Sequence, residues 1–438
     1  MFRRTERVLV AVSGGADSVA CLLALLQLRG HFGFEVVAAH FDHQLQPDSA
    51  ASLAHVRDLC AHLDVPCFTG EGDVGAAARG ARTGIEETAR RMRYQFLAFI
   101  AEKERADCVA TGHTADDQAE TVLMHILRGS GVRGIRGMLP VATVPGGGAL
   151  RLVRPLLCLP RSETRAICDE AGIEPLHDQS NDDLAITRNR LRHETLAALR
   201  GVNPSVGEAL QRLARSAREV FDGIERQAMS VQPAERLPIG AIFDRASFAA
   251  LPNEARMLVI EREAAFYHLQ PEPNATRLQN LASVLARGTG LVRFGDTLVE
   301  VSSGKARIGP PLEEANPLPP KILDVPGVSV AGPWRIVVAT APPRAAPGAL
   351  TAVVSQGTLQ GAIRVRAMQT GDRMRYHGSS RTVGKVLADA KVPAWSRMGA
   401  VAVADAEGVV ALFTSAGVIA DAASGDDALY IQVGPAGR

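Results

Sequence analysis

Two clusters of residues early in the chain have the types and spacing of a chemical site. Ser13-Gly14-Gly15-Ala16-Asp17-Ser18 follows a short β-branched run, Val8 to Val12, and precedes the apolar stretch Val19 to Leu28 of helical composition. It reads as a tight loop between a strand and a helix. Glycines let such a loop fold back until successive amides converge on one point, and the helix behind it adds unsatisfied N–H groups and the positive end of its dipole. That point suits a phosphate. The GxxxxGK[ST] spacing is absent and no lysine precedes Lys103, so nothing nearby reaches a γ-phosphate as that motif's lysine does. The second cluster, Asp116, Asp117 and Glu120, has the i,i+3 and i,i+4 spacings that share one helix face. Its carboxylates suit Mg²⁺ beside a triphosphate, or a substrate ammonium. Each cluster also has a plain structural reading: a helix capped by Asp17 or Ser18, and an acidic first turn favoured by the helix dipole.

The elements that must position these residues alternate. Phe34 to Phe41 has a buried-strand pattern, Ser49 to Leu63 is amphipathic, and Val65 to Thr69 forms a third strand candidate. Glu86 to Lys103 has apolar residues at helical spacing, Cys108 to Thr111 reads as another strand, and a helix runs from about Asp116 to Leu127. Strands alternating with helices imply a mostly parallel sheet with helices on both faces, an α/β domain. In such sheets ligands lie outside the carboxyl ends of the strands. His40, Asp42 and His43 end one strand, while Gly112 and His113 follow another; His40, Gly112 and His113 therefore join the loop residues 13–18 as candidate nucleotide contacts.

Beyond Leu127 the pattern loosens. Arg128 to Arg161 holds six Arg and no acid, with Arg128 and Arg133 in its Gly-rich part. Pro155 to Gly172 and Arg188 to Leu199 read as helical, and an Arg- and Glu-rich helical region runs with interruptions from Leu210 to about Gly288. Gly309 to Pro320 is Pro-rich and acidic, a linker composition. The remainder, rich in Val and Gly, reads as a small β-rich domain. Within it Arg364 to Arg397 carries eight Lys or Arg against two Asp, with Tyr376 and Trp395 available to stack on bases. The expected division is a catalytic domain over 1–205, a helical domain over 206–310 and a C-terminal domain over 311–438.

A chain of 438 residues is long enough for two or three such domains. The net charge of +1 argues against a surface that grips nucleic acid everywhere and leaves room for local basic patches. The six cysteines, at 21, 60, 67, 108, 158 and 168, show no CxxC spacing, which favours neither a zinc site nor a disulfide framework. The longest early apolar stretch, Val19 to Leu26, is far short of a membrane span. A cytoplasmic protein with reduced thiols is expected.

The six-residue loop resembles the PP-loop of ATP pyrophosphatases, which cleave ATP between the α- and β-phosphates. Four further segments resemble the tRNA(Ile)-lysidine synthetase family in its own order: Ile85 to Leu97, with an Arg-Tyr pair; Thr111 to Met138; His177 to Arg192; and Arg364 to Arg397, with GDR, Gly384-Lys385 and VPAWSR. Two positions depart from the family pattern, Asp42-His43 for His-His and His113-Thr114 for His-His. The resemblance implies a PP-loop fold of the adenine nucleotide α-hydrolase, Rossmann-like kind. It implies ligation of L-lysine to C2 of the wobble cytidine in tRNA(Ile) with a CAU anticodon, by way of an adenylated base. ATP and Mg²⁺ are the implied cofactors, and a homodimer is one assembly the sequence allows. On this reading residues 13–18 hold ATP phosphates, Asp17 places Mg²⁺, and Asp116, Asp117 and Glu120 bind lysine or metal. Arg128, Arg133, Arg373, Lys385 and Trp395 face the RNA, and Arg188, Asn189 and Arg192 touch ATP or the RNA backbone, against a plain reading of the last three as a solvated helical face. A tRNA thiolase, an amidotransferase-type synthetase and a non-catalytic nucleotide-sensing RNA-binding protein are the alternatives.

Overall fold

A computed structural model describes residues 1–44, 49–176, 184, 186–312, 318–421, 423 and 427–436. The chain forms two compact units, Met1–Asp222 and Gly223–Arg438.

In the first unit the opening strand β1 (Arg7–Ala11) leads through the glycine loop into α1 (Ala16–Phe32). Then come β2 (Glu35–Asp42), α2 (Ser49–His62), β3 (Cys67–Glu71), α3 (Val74–Ala81), α4 (Ile85–Lys103), β4 (Cys108–Thr111) and α5 (Ala115–Leu127). A short α6 (Val132–Ile135), strands β5 (Val141–Thr143) and β6 (Arg151–Val153), and α7 (Arg161–Glu170) follow. Among the described residues the strands form one sheet in the order β3-β2-β1-β4-β6-β5, parallel except for β5.

Alternation along β1 explains why both faces carry helices. Val8 and Val10 enter one core with Leu22 and Leu25 of α1 and Val56 of α2, while Leu9, one residue out of phase, enters a second core with Tyr94, Leu97 and Ile100 of α4. A strand buried on both sides must be apolar throughout, which is why β1 reads as a continuous run. The sheet grows from β1 to β2 in one direction and to β4 in the other. That reversal places the crevice of the fold at the carboxyl ends of β1 and β4, where the two chemical clusters stand. The unit continues through α8 (Thr187–Arg190), a π-turn over Leu191–Thr195 and α9 (Leu196–Val202); α10 (Val206–Ser230) contains the boundary between the units. The Asp-x-Ser-Asn stretch at 178–181 lies outside the described residues.

The second unit adds strands to the helical middle region expected from the sequence. Helices α11 (Arg245–Ala249), α12 (Asn253–Phe266) and α13 (Ala275–Arg287) are present, but they accompany an antiparallel sheet of strands at Glu235–Leu237, Gly240–Asp244, Gly290–Phe294, Thr297–Ser302 and Lys305–Gly309. Phe243, Phe248, Ile260, Leu281 and Phe294 form their shared core. Residues 318–436 build the expected β-rich region as a seven-stranded and a four-stranded sheet among the described residues.

Trp395 does not stack on a base from this region. It is 4% exposed, buried in a short helix, Ala394–Arg397. A single tryptophan in a basic segment carries no sequence signal of burial, and here packing takes it. The basic surface is also smaller than the residue count: Arg366 is bidentate with Asp372, Arg375 is paired with Asp405 and Glu407, and Arg381 with Asp389. Arg373 and Lys385 are exposed, with Arg373 donating to Ser380.

Candidate active site

The glycine loop is closed by its own serines. Ser18 Oγ accepts from Ser13 N at 3.1 Å and donates to the Gly15 carbonyl at 2.9 Å, and the two serine hydroxyls lie 3.1 Å apart. Gly14 sits at φ +90°, a left-handed conformation that favours glycine. With Ser13 N and Ser18 N already bonded, the amides of Gly14 to Asp17 are the loop donors left to face a phosphate. Gly15, the residue before α1, has no side chain to cap it, and among the described residues the Asp17 carboxylate accepts from Arg161 and Thr164, not from a backbone N–H of the first turn, so the plain capping reading of Asp17 does not hold.

Gly112 is required by close approach. A Cβ there would stand 2.3 Å from the Asp17 carbonyl oxygen and 2.9 Å from Ser18 N, so any side chain drives β4 and the loop apart. Its part in the site is thus steric. Gly112→Ala is expected to weaken ATP binding by about 5- to 150-fold, the equivalent of the 1–3 kcal/mol that overpacking costs. Titration calorimetry on the folded variant checks this, and unchanged affinity would show that the loop tolerates the displacement.

The acidic residues are not a bare anionic patch. Asp17 Oδ2 accepts from Arg161 Nε at 3.0 Å, and its Oδ1 from the Thr164 hydroxyl at 2.5 Å. Asp117 closes a capping box with Thr114 at the start of α5 and also meets Arg161 and Arg188 at 3.2 and 3.1 Å. Glu120, fully buried, is held by Arg188 Nε at 2.7 Å and by Arg192 Nε at 2.6 Å. Asp116 accepts from the Arg161 backbone N–H at 2.8 Å and lies 3.4 Å from Arg200. Four carboxylates from α1 and α5 therefore meet guanidiniums from α7, α8, the π-turn and α9. Burial alone would raise the Asp117 pKa, but Arg188, Arg161 and the Thr114 N–H outweigh it and hold the carboxyl below its usual range. The dipole reading of the first turn is half right: Asp117 does cap, and it also belongs to the cluster.

Arg188, Asn189 and Arg192 are accordingly placed away from the RNA role expected of them. The two arginines are spent on Asp117 and Glu120, and Asn189 is 6% exposed. Arg128 and Arg133 lie exposed at the end of α5 and in α6.

His40 is buried, and its Nδ1 must carry the proton because it lies 2.8 Å from the Val12 carbonyl. Burial lowers its pKa, with Arg57 adding and the Val12 bond and Asp42 opposing. The neutral ring leaves Nε2 as a buried acceptor without a partner among the described residues. His113 Nδ1 pairs with Thr111 Oγ1 at 2.8 Å. Burial pushes its pKa down to about 3, reinforced by Arg154, Arg93 and Arg188 and opposed by Asp117. The unfolded chain, with an ordinary His pKa near 6.5, takes up this proton first. The neutral ring's contribution to stability is therefore complete above pH 6.5 and is lost as pH falls toward 3. Urea midpoints at pH 7.5 and 5 are expected to fall less in His113→Gln than in the wild type, and equal falls would contradict the assignment.

Four contributors escaped the sequence reading, two of them arginines held apart from acids. Arg154 is 5% exposed and Arg93 half-buried, and among the described residues neither has a carboxylate at ion-pair distance. Burial lowers the pKa of both, and Arg90, lying over the Tyr94 ring, adds to it. Cations held without acids suit an anion; their only signal in the sequence was the Arg93-Tyr94 pair. Arg161 and Thr164 were missed altogether. Beside Asp116 opens a cavity of about 220 Å³, lined in part by Arg200, Glu208 and Gln211. Among the described residues no group of three or more His, Cys, Asp or Glu side chains converges as metal ligands, and no helix is long and apolar enough to cross a membrane.

Comparison with known proteins agrees with this geometry. Residues 2–199 match the PP-loop domain family model. A protein of Dehalococcoides mccartyi named tRNA(Ile)-lysidine synthase is 42% identical over 212 residues, 48% of this chain and 45% of that protein. Proteins of the same name from Thermosipho africanus and Geobacillus kaustophilus are 33% identical over 318 residues and 31% over 418. The former match covers 72% of this chain and 71% of that protein, the latter 92% and 89%.

Proposed function

Because the chain belongs to the tRNA(Ile)-lysidine synthase family, we propose that it spends ATP to join lysine to C2 of the wobble cytidine in tRNA(Ile) with a CAU anticodon. The cytidine O2 attacks the α-phosphorus of ATP, the bond to the bridging oxygen breaks, and pyrophosphate leaves. The neutral ε-amine of lysine then forms the C2–N bond, the C2–O bond to AMP breaks, and the surplus amine proton is passed on.

The observation that supports this reading best is the placement of a phosphate loop one guanidinium away from a cluster of carboxylates. The amides of Gly14 to Asp17 meet the two phosphates that depart, and the helix dipole of α1 favours their charge. Arg93 and Arg154, cations in the surroundings of His113, would meet the negative charge of the α-phosphate. Among the acids of α5, Asp116 is the most open, its side chain 29% exposed against 11% for Asp117 and 1% for Glu120. It is therefore the carboxylate best placed to take the amine proton. The cavity beside it offers Glu208 and Arg200 to the charged groups of a free amino acid. Asp17 fits the single carboxylate that Mg²⁺ needs when phosphate oxygens fill most of its shell. The ion would supply charge neutralisation at the departing pyrophosphate. Arg128 and Arg133 of the first unit would contact tRNA phosphates, and Arg373 and Lys385 would do so independently from the second.

Purified protein given ATP, bulk tRNA and each amino acid in turn is expected to bind lysine covalently to one isoleucine tRNA. Retention of a different amino acid, or sulfur in place of an amine, would overturn the proposal.

A further inference from the structure

Arg161 is the first residue of α7, and no element of the loop or the acidic cluster lies near it in sequence. Its backbone N–H donates to Asp116, its Nε to Asp17 and its Nη2 to Asp117. One residue thus touches the loop carboxylate and two of the three carboxylates of α5. Its anchorage is firm. Thr164, one turn along α7 and fully buried, has its hydroxyl within hydrogen-bond reach of both Asp17 and the Arg161 carbonyl, and Ala115 N donates to the Leu159 carbonyl just before the helix. Burial alone would lower the Arg161 pKa, but Asp117 and Asp17 outweigh it and raise it, so the brace stays charged.

A lysine in this position could not do the same. Its ammonium is a compact point charge, whereas the planar fork of arginine directs donors at two acceptors at once. The two carboxylates it joins serve different halves of the reaction proposed above: Asp17 belongs to the loop where pyrophosphate leaves, and Asp117 to the helix that presents the amine site. An adenylated cytidine that waits for a misplaced amine is open to water. Attack by water at C2 restores the C2 carbonyl and releases AMP, so ATP is consumed with nothing joined.

We propose that Arg161 is a positioning residue that fixes the spacing between the nucleotide side and the amine side of the site, and so couples base activation to lysine transfer. This rests on the lysidine-forming reading but makes a separate claim. The test is the number of AMP released per lysine joined to tRNA, measured with the full-length enzyme for the wild type, Arg161→Lys and Arg161→Gln. Misplacement by about an ångström can slow a reaction a hundredfold, so lysine transfer is expected to fall by about that factor while AMP release falls far less. The ratio should rise well above the wild-type value in both variants, with a larger KM for lysine. Thr164→Val, which keeps the volume and removes the hydroxyl, should move the ratio the same way by less and remains informative if the arginine variants fold poorly. A ratio unchanged from the wild type, with both rates falling in parallel with thermal stability, would reduce Arg161 to a structural brace. The wild-type measurement alone carries the functional reading: if it joined no lysine the reaction would be misassigned, whereas wild-type lysine joining with unchanged variant ratios would sink only the coupling role.

Discussion

Replacing Glu120 with alanine is expected to cost the first unit about 3 kcal/mol of stability, the low end of the 3–5 kcal/mol for removing one partner of a buried ion pair, and to abolish lysine incorporation. Glu120 is fully buried and accepts from both Arg188 and Arg192. Its loss leaves two guanidiniums that remain 27% and 21% exposed and can still turn to Asp117, which is why the low end applies. Chemical denaturation of the wild type and variant measures the first effect, and labelled lysine the second. A loss below about 1 kcal/mol, the usual worth of an exposed pair, would mean that the cluster is not the buried network described above.

Asp17→Ala should act on chemistry far more than on folding. The carboxylate makes no helix cap, and its partners, Arg161 and Thr164, keep other bonds to Asp117 and to the Arg161 carbonyl. Turnover is expected to fall by about 10²–10³-fold, the range seen when one electrostatic contributor is removed from a preorganised site, while the unfolding midpoint moves little. Near-normal lysine incorporation by the folded variant would remove Asp17 from the machinery.

The parts of this site that were legible in the sequence are those whose residues are close neighbours. The loop at 13–18, the strand and helix around it, and the Asp116-Asp117-Glu120 face each lie within one turn or one strand end, so local pattern suffices. Arg161 lies 144 residues from Asp17 and Arg192 lies 72 from Glu120, and nothing local marks either as a partner. The arginines of 188–192 looked like an RNA surface because basic residues on a helix usually face solvent, and only the fold turns them onto buried acids. The strands between 235 and 309 were hidden for a related reason. They are three to six residues long and stand among genuine helices, so a window long enough to register a helix averages them away. Trp395 misled in the opposite sense, since basic neighbours made a core residue look like a stacking platform.

The central claim is that a lysine-free glycine loop holds the pyrophosphate that leaves when a nucleobase takes AMP. Its most direct test is the fate of ATP labelled separately at the α- and γ-phosphates and incubated with the purified protein, substrate tRNA and lysine. The α-label is expected in AMP and the γ-label in pyrophosphate, both dependent on the RNA. Label recovered as ADP and inorganic phosphate would contradict the claim.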